Sequence, residues 1–539
     1  MFPTSQYRSV ALLLLASFAG WILSDPVIAE EPLHDQIDKL IESQTDGDVG
    51  KTATDAEFLR RVYLDLAGRI PSRDETAAFL ADQSEDKRGR VIDRRLGSDE
   101  YPRRMTELFH VMLLERMGVH EEWNKYLRSS FATNKPWDQI AREIANPSAD
   151  DEATRGSAFF ITKRLEKYGQ NPVDYPGLVR DVGRMFLGVD VQCAQCHDHL
   201  FVDDYKQVDF QGLFAFLGQT MIRTDVKFPA VAEKLVAKPL DFKSVFVMED
   251  RRTGPRLPFG SETAVPVFAK GKEYEVPPDR KTRFAGRPKF SPLQLLSEQL
   301  PEHPLFRKNI ANRLWWVMMG RGLVFPLDLH HTDNPPSHPE LLTMLGDELA
   351  THKYDLRWFV RELALSKTYQ RASVLPDPAN DETAESTYQV ALEKPLSVEQ
   401  LLGSMLQAVR DGKVVAIDQD EEKLTELRER FSKAFANPPR EPEVGHSPSV
   451  KAALFLLNDD VVLGWLKPQD GNLVDRLVKI DDAAKVAEEL YLSLLTRRPI
   501  ADEIREVSDY LASNADDRAT ACGDLAWALL ASTEFGVNH

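Results

Sequence analysis

Apolar residues recur at helical spacing through most of the chain, and helix-start signals precede several of these stretches. The stretch PLFRKNIANRLWWVMMGRG has this spacing and ends at Gly320 and Gly322, which is typical of a helix C-terminus. The pattern predicts a mainly α fold. Four helix starts are predicted from capping-box pairs, in which a hydroxyl residue is followed three positions later by Glu or Gln. These pairs are Thr54 with Glu57, Ser72 with Glu75, Ser337 with Glu340, and Ser397 with Gln400.

The helical spacing is interrupted between about residues 222 and 290. Here FKSVFVME, AVPVFAKG and KEYEVPP have the composition of short strands among Pro and Gly residues. A chain of 539 residues is also too long for a single hydrophobic core. We therefore expect two helical domains, residues 33–221 and 290–539, joined by a connector at 222–289 with a few short strands.

The first residues have the pattern of an export signal. Arg8 precedes the apolar run Val10–Leu23, which is shorter than the roughly 20 residues that a bilayer span needs, and the small Ala29 offers a cleavage site. Residues 1–29 are therefore predicted to be a signal peptide of a secreted or periplasmic protein, with no membrane span after cleavage. The alternative is an uncleaved membrane anchor.

Two segments near opposite ends of the chain resemble each other. Tyr63–Glu75, YLDLAGRIPSRDE, aligns without a gap on Tyr491–Glu503, YLSLLTRRPIADE. In each, a Pro ends one helix and a Glu lies in the first turn of the next, so each predicts a helical hairpin. General helix preferences explain the likeness, and the alternative is a pair of matching docking units.

Composition narrows the class of partner. The hydrophobic content of 42% and charged content of 28% are ordinary for a folded globular protein. The net charge is −18, and an anionic surface repels phosphate backbones. Nucleic acid is therefore not an expected partner.

The chemistry of the chain is concentrated in VQCAQCHDHLFVDD, which holds two of only three cysteines. Cys193, Cys196 and His197 form the C-x-x-C-H pattern at which c-type haem is attached. The two thiols add to the haem vinyl groups as thioethers, and His197 follows as the axial ligand of the iron. Export agrees with this prediction, because bacterial haem attachment takes place outside the cytoplasm.

Three other interpretations of the pattern remain open. The thiols could form a redox dithiol or disulfide, although the flanking sequence lacks a βαβ setting. They could be a buried thiol pair. They could also bind zinc or iron without haem, with neighbouring histidine and carboxylate side chains completing the site. The candidate ligands of such a metal are Cys193, Cys196, His197 and His199, with Asp198, Asp203 or Asp204 as oxygen donors.

The ordered motifs RVYLDLAGRIPSRDE, FLGVDVQCAQCHDHLF and YKQVDFQGLFAFL resemble a planctomycete family of secreted cytochrome-c-like domains. The motifs NRLWWVMMGRGLVFPLD, NPPSHPELL and LALSKTYQRAS resemble the planctomycete-specific domain that commonly follows it. The two resemblances cover roughly residues 35–220 and 290–537. The first implies a haem domain. Two positions depart from the family pattern: Leu200 stands where proline is usual, and Leu329 replaces an acidic residue after Asp328.

A second axial ligand would have to be Met or His for electron transfer. His199 matches the family pattern but is too close to His197 to reach the opposite face of a haem. Met221 and His338, which matches the second domain's motif, are further candidates, and His338 is also a candidate metal ligand. Arg180 and Arg184 are candidates to lie near the propionates. His330 and His331 suit either a metal site or an exposed turn.

Together these features predict an exported c-type haem protein that transfers electrons to or from a partner redox protein. The alternative function is a secreted interaction or scaffold protein whose Cys/His cluster binds a structural zinc or iron ion. No motif typical of a hydrolase is present, so the sequence does not decide whether the chain is an enzyme. Cys522 lies in an apolar helical pattern and is expected to be a buried thiol.

Overall fold

The computed structural model describes residues 31–45, 49–167, 169–374, 384–409, 421–442, 450–469 and 471–539. The predicted signal peptide, residues 1–29, lies outside these ranges. In the described ranges the structure is mainly helical, with 23 α-helices and eight short strands, which confirms the predicted fold class. None of the described helices is long and apolar enough to cross a membrane.

Ten helices precede the first strand. They are α1 (Leu33–Ser43), α2 (Asp55–Ala67), α3 (Arg73–Ala81), α4 (Lys87–Leu96), α5 (Glu100–Leu114), α6 (Glu121–Ala132), α7 (Trp137–Ala145), α8 (Phe159–Arg164), α9 (Tyr175–Val182) and α10 (Gln207–Leu217). Short 3₁₀ helices at Arg155–Ala158 and Gln192–Gln195 and a π-helical turn at Gly183–Leu187 connect them.

The strands form four two-stranded antiparallel sheets, β1 with β2, β3 with β4, β5 with β6, and β7 with β8. Six strands lie in the predicted connector or at its edge. KEYEVPP contains a strand as predicted, FKSVFVME overlaps one only at its start, and AVPVFAKG contains none. The strands are β1 (Thr220–Ile222), β2 (Val231–Glu233), β3 (Leu240–Lys243), β4 (Asp250–Thr253), β5 (Tyr274–Val276), β6 (Arg287–Pro288), β7 (Lys394–Pro395) and β8 (Val537–Asn538).

The remaining helices follow β6, with β7 and β8 among and after them. They are α11 (Pro292–Gln299), α12 (Pro304–Met319), α13 (Pro339–Thr351), α14 (Leu356–Leu365), α15 (Val398–Val409), α16 (Glu421–Phe435), α17 (Val450–Asn458), α18 (Asp460–Trp465), α19 (Leu473–Val478), α20 (Ala483–Leu494), α21 (Ala501–Ser513), α22 (Arg518–Leu530) and α23 (Thr533–Gly536). Two 3₁₀ turns lie at Glu385–Thr387 and Ala515–Asp517.

Three of the four predicted helix starts are confirmed by side-chain caps before α2, α3 and α15. The fourth is wrong by one position, because α13 begins at Pro339 with His338 as its N-cap residue. Proline is favoured at the first helical position, and the backbone N–H of Ser337 instead donates to the carbonyl of Leu323 at 2.8 Å. Helix α12 ends as predicted at Gly320, which has a φ of 87°.

The two similar segments form equivalent helical hairpins, as predicted. Helices α2 and α3 form the first, and α20 and α21 form the second. Arg69 pairs with Glu75 at 3.1 Å, and the matching Arg497 pairs with Glu503 at 2.7 Å. Each arginine also lies over the ring of the hairpin's tyrosine, at 5.5 and 5.0 Å from the centroid. The likeness therefore extends from sequence to a shared set of contacts.

Two hydrophobic cores organise the described residues. The first contains residues from Leu33 to Tyr388 and packs α11–α14 against the N-terminal helices. The second contains residues from Leu396 to Phe535, together with Leu64 and Ile70 of the first hairpin. Helix α2 therefore contributes to both cores. The domain boundaries at residues 221 and 290 remain a prediction.

Candidate functional site

The two neighbouring cysteines lie on one short turn at the surface. Residues Gln192–Gln195 form a 3₁₀ turn in which Ala194 is buried and anchors the backbone, while Cys193 is exposed and Cys196 follows it, also exposed. Neither cysteine forms a disulfide, and Cys522 is the buried thiol that its sequence context predicts. We call residues 192–199 the CxxCH turn. Its two thiols are free to react with a group that approaches from solvent.

Side chains of α10 hold the turn in place. The amides of Gln207 and Gln211 both donate to the carbonyl of Gln195, at 3.4 and 2.9 Å. The backbone N–H of Gln207, the first residue of α10, donates to Asp198 Oδ1 at 2.8 Å. Asp198 therefore places a negative charge at the positive end of a helix, where it is stabilising. This proposed oxygen ligand already has a structural role.

His197 has a hydrogen bond that decides which ring nitrogen is available. Its Nδ1 lies 2.6 Å from the carbonyl oxygen of Asp198. Because a carbonyl only accepts, Nδ1 carries the proton, and in the neutral ring Nε2 keeps its lone pair. The ring is partly exposed and packs on Phe246, with 4.6 Å between ring centroids. A metal-binding histidine commonly has this arrangement, with a backbone carbonyl orienting the ligand.

His199 has the opposite arrangement. Its Nδ1 accepts backbone N–H groups from Phe201 at 3.2 Å and Val202 at 2.9 Å. The proton of the neutral ring is therefore on Nε2, and the Nδ1 lone pair is occupied by the loop. The structure thus distinguishes two histidines that the sequence places two positions apart. His197 has an available lone pair, and His199 closes the loop.

The other predicted ligands of a bare metal do not converge. Asp203 is exposed, and Asp204 accepts the backbone N–H of Thr332 at 2.6 Å, which lowers the pKa of its carboxyl. Within the part of the chain that the structure describes, no group of three or more His, Cys, Asp or Glu side chains is placed to bind a metal ion.

The segment DLHH, residues 328–331, lies against the residues that precede the CxxCH turn. Val189 and Leu329 form an isolated bridge, and the backbone N–H of Asp190 donates to the carbonyl of Asp328 at 3.0 Å. His330 is buried in this contact, so its pKa is lowered to about 4 by loss of solvation. His331 is half-buried, with its ring 5.6 Å from that of Tyr205. Packing against residues 188–190 and Tyr205, not an exposed loop, therefore explains both histidines.

A buried ion cluster lies behind this contact. Arg184 donates to Glu115 at 2.7 Å and to Asp328 at 2.9 Å, and Asp181 lies 3.5 Å away. Burial acts to lower the pKa of Arg184, but Asp328 and Glu115 outweigh it and raise the pKa. Arg184 is therefore fully engaged inside the protein. Arg180, the other candidate for a propionate, is half-buried and pairs with Asp190 at 3.3 Å.

The two candidates for a distant axial ligand lie in other structural settings. Met221 is half-buried in β1, where it pairs with Ala232 of β2. His338 is buried beside Tyr388, with 5.6 Å between ring centroids, and burial lowers its pKa. Its Nδ1 lies 3.1 Å from the hydroxyl of Ser337. Neither residue has a described contact with the CxxCH turn.

The sequence did not reveal an exposed apolar surface around the turn. The β3–β4 hairpin loop approaches it, and the backbone N–H of Val245 donates to the carbonyl of Cys196 at 3.1 Å. Six large apolar side chains from two loops are between 54% and 85% exposed. The signal was available as the apolar run VFVM, whose composition predicts a strand but which forms the loop between β3 and β4. We call these residues the apolar rim: Leu200, Phe201, Val245, Phe246, Val247 and Met248.

Comparison with known families finds matches to two planctomycete-type domains, each over less than half of the chain. Residues 36–221 match the family described as "PSCyt2: Protein of unknown function (DUF1549)". Residues 296–428 match the family described as "PSD1: Protein of unknown function (DUF1553)". These matches agree with the resemblance found in the sequence, and neither description states a cofactor or an activity. Comparison with curated proteins and with solved structures finds no match.

Proposed function

We propose that this chain is an exported c-type haem protein that exchanges electrons with a partner redox protein. The observation that carries the proposal is the hydrogen bond from His197 Nδ1 to the carbonyl of Asp198, which leaves Nε2 available beside two free thiols. Cys193 and Cys196 would hold the haem, and His197 would be its axial ligand. When bound, haem supplies one-electron oxidation and reduction.

The thiols need no oxidant for attachment. Each S–H adds across one vinyl C=C bond, so that a sulfur–carbon bond forms and the hydrogen goes to the adjacent vinyl carbon. Both cysteines are exposed and unpaired, which this addition requires. The buried Cys522 has a pKa raised by burial, so it is a poor competitor for the same chemistry.

The apolar rim supports the same function. Contiguous apolar side chains on a protein surface usually mark a binding site, because exposing them to water is unfavourable. A porphyrin is a large apolar ring, and Phe246 already packs against the ring of His197. The rim therefore offers apolar cover to a haem held by the turn, and its remaining area would contact the redox partner.

The alternative function is a secreted scaffold protein with a structural zinc or iron ion on the same turn. Cys193, Cys196 and His197 are its available donors. His199 Nδ1 is occupied by its own loop, so binding through it would cost existing hydrogen bonds. Asp198 Oδ1 accepts from the first residue of α10, which leaves Oδ2 as the oxygen that could join these donors. A structural metal on this turn would therefore have fewer available ligands than the sequence indicated.

The test is to produce the chain with its own signal in a host that matures c-type cytochromes. We expect a mass increase of one haem and a Soret band that survives acid–acetone extraction. Cys193→Ala with Cys196→Ala should abolish both, whereas Cys522→Ala should abolish neither. Colourless protein with one zinc or iron ion per chain would support the scaffold function instead, and a chain carrying neither group would overturn both.

The two histidines provide a sharper control. His197→Gln should change the spin state seen in the visible spectrum while leaving the thioether-linked haem in place. His199→Gln should leave the spectrum unchanged, because its Nδ1 only accepts backbone hydrogen bonds. Equal spectral changes in both variants would contradict the assignment of His197 as the ligand.

A further inference from the structure

A cavity of about 150 Å³ lies between α5, α12 and the segment that contains β7 and the start of α15. The exposed residues Glu393 and Pro395 form part of its wall, so it opens to solvent. Its volume is similar to that of a cavity that accommodates benzene. One side of the wall is apolar, and the other carries charged and amide groups. The apolar residues are Leu108, Val111, Trp316 and Val317.

Asp65, the most deeply buried carboxylate of the wall, has its hydrogen bonds filled. It accepts from Lys394 Nζ at 2.9 Å, from the hydroxyl of Tyr369 at 2.9 Å and from the amide of Asn538 at 2.8 Å. Lys394 also donates to backbone carbonyls of α12, so its ammonium group is satisfied. The carboxylate of Asp65 and the ammonium group of Lys394 therefore both have their hydrogen bonds within the protein.

The other two partly buried carboxylates of the wall are also paired. Glu107 pairs with Arg428 at 2.9 Å, and Glu399 pairs with Arg116 at 2.9 Å. Each negative charge near the cavity, apart from that of the exposed Glu393, therefore has its own basic partner.

Arg104 lines the same cavity and differs from all of these groups. Its side chain is buried, with 5% of the residue exposed. Among the described residues it makes no direct hydrogen bond or ion pair, and its buried Nε lacks an acceptor. Burial lowers the pKa of Arg104, and the more distant carboxylates of Glu107, Asp65 and Glu399 offset this only in part. A guanidinium N–H that is buried without an acceptor is costly. The buried Oδ1 of Asn538 likewise lacks a donor.

We propose that this cavity binds a small organic carboxylate, with Arg104 as the anchor of the carboxylate group. A guanidinium and a carboxylate form two parallel charge-assisted hydrogen bonds, which is the strongest pairing available to Arg. The apolar wall suits a short aliphatic or aromatic body, and the volume limits the ligand to about the size of one small ring. The site is separate from the CxxCH turn and does not depend on haem.

The experiment uses the full mature chain, with and without the haem-attachment cysteines, and the probes acetate, butyrate and benzoate. Benzamide and butyramide serve as neutral probes of the same shape. Isothermal titration calorimetry should show butyrate or benzoate binding with millimolar or better affinity and the amides binding about tenfold or more weakly. Equal binding of acids and amides, or no binding of any acid, would overturn the proposal.

Variants test whether the acids bind to Arg104 itself or to any nearby positive charge. Arg104→Met should abolish binding of the acids, and Arg104→Lys should weaken it, because lysine lacks the bidentate fork. Arg103→Met is the matched control, since Arg103 is adjacent on α5 and has a carboxylate partner in Glu100 at 3.9 Å. It should leave the affinity unchanged. If Arg104→Met does not fold, the comparison of acids with amides on the unaltered chain decides the question.

Discussion

Two buried arginines of similar exposure have opposite surroundings. Arg184 is 2% exposed and donates to Glu115 and Asp328, with Asp181 nearby, whereas Arg104 is 5% exposed and has no acceptor among the described residues. Burial alone therefore does not separate a structural arginine from one that awaits a ligand. The completeness of the hydrogen bonds does, because an unpaired buried charge is unfavourable until a partner arrives.

The largest effect is expected for Arg184→Met. Removing this guanidinium leaves the buried Glu115 without its basic partner, while Asp328 keeps Arg313. The free energy of unfolding should therefore fall by about 3–5 kcal/mol. Urea denaturation of the purified variant measures the change. A loss below about 1 kcal/mol would show that the cluster is hydrated and that the comparison with Arg104 does not hold.

The pH dependence of stability tests the same comparison, because one buried histidine lies near Arg184 and another lies on the same helix as Arg104. His330 interacts with Arg313 and with Asp328, which is also a partner of Arg184, and burial lowers the pKa of His330 to about 4. His110, on α5 with Arg104, also has a pKa of about 4 because of burial. The unfolded chain binds these protons near pH 6.5 and the folded chain does not, so stability falls as the pH drops from about 6.5 towards 4.

The expected contribution of His330 is about 3 kcal/mol across that window, and that of the less completely buried His110 is smaller. His330→Gln should remove most of the dependence between pH 6.5 and 4, and His110→Gln should remove a further part. Thermal denaturation at matched pH values measures both. A pH profile of His330→Gln identical to that of the unaltered chain would rule out burial of a neutral imidazole there.

The two histidines of the CxxCH turn differ in the same way, because the Nδ1 of His199 is filled by hydrogen bonds and the Nε2 of His197 is available. His199→Ala removes the acceptor of two backbone N–H groups, so the free energy of unfolding should fall by about 1 kcal/mol. His197→Ala, in the haem-free chain, should cost less than half of that. Denaturation of the haem-free double-cysteine variant provides the common background. The reverse order would contradict the hydrogen-bond assignment of the two rings.

The smallest change is expected for Arg104→Met without ligand. The substitution replaces a buried cation that makes no direct ion pair by an apolar side chain of similar length. Its burial outweighs the attraction of Glu107, Asp65 and Glu399, so stability should change by less than about 1 kcal/mol or rise. The same urea experiment used for Arg184→Met measures it. A loss as large as that of Arg184→Met would mean that Arg104 has a structural partner and would remove the reason to propose a ligand site.

Much of the local structure was predictable. The two similar hairpins, the caps before α2, α3 and α15, and the end of α12 at Gly320 all follow from nearest-neighbour chemistry. The start of α13 was misplaced because Pro339, not Ser337, determines it. The apolar run before β4 has the composition of a strand but forms a loop, since composition does not reveal a hairpin loop that exposes its side chains.

By itself the sequence determined the helical architecture and the close spacing of two thiols and an imidazole. These are consequences of periodicity and of neighbouring residues, which act within a few positions of the chain. Only the tertiary structure decided that His197 has an available nitrogen, that Arg184 has carboxylate partners and that Arg104 has no direct acceptor. Those properties depend on partners more than 60 positions away, or on a loop's backbone geometry, and no local pattern encodes which distant groups fill a hydrogen bond.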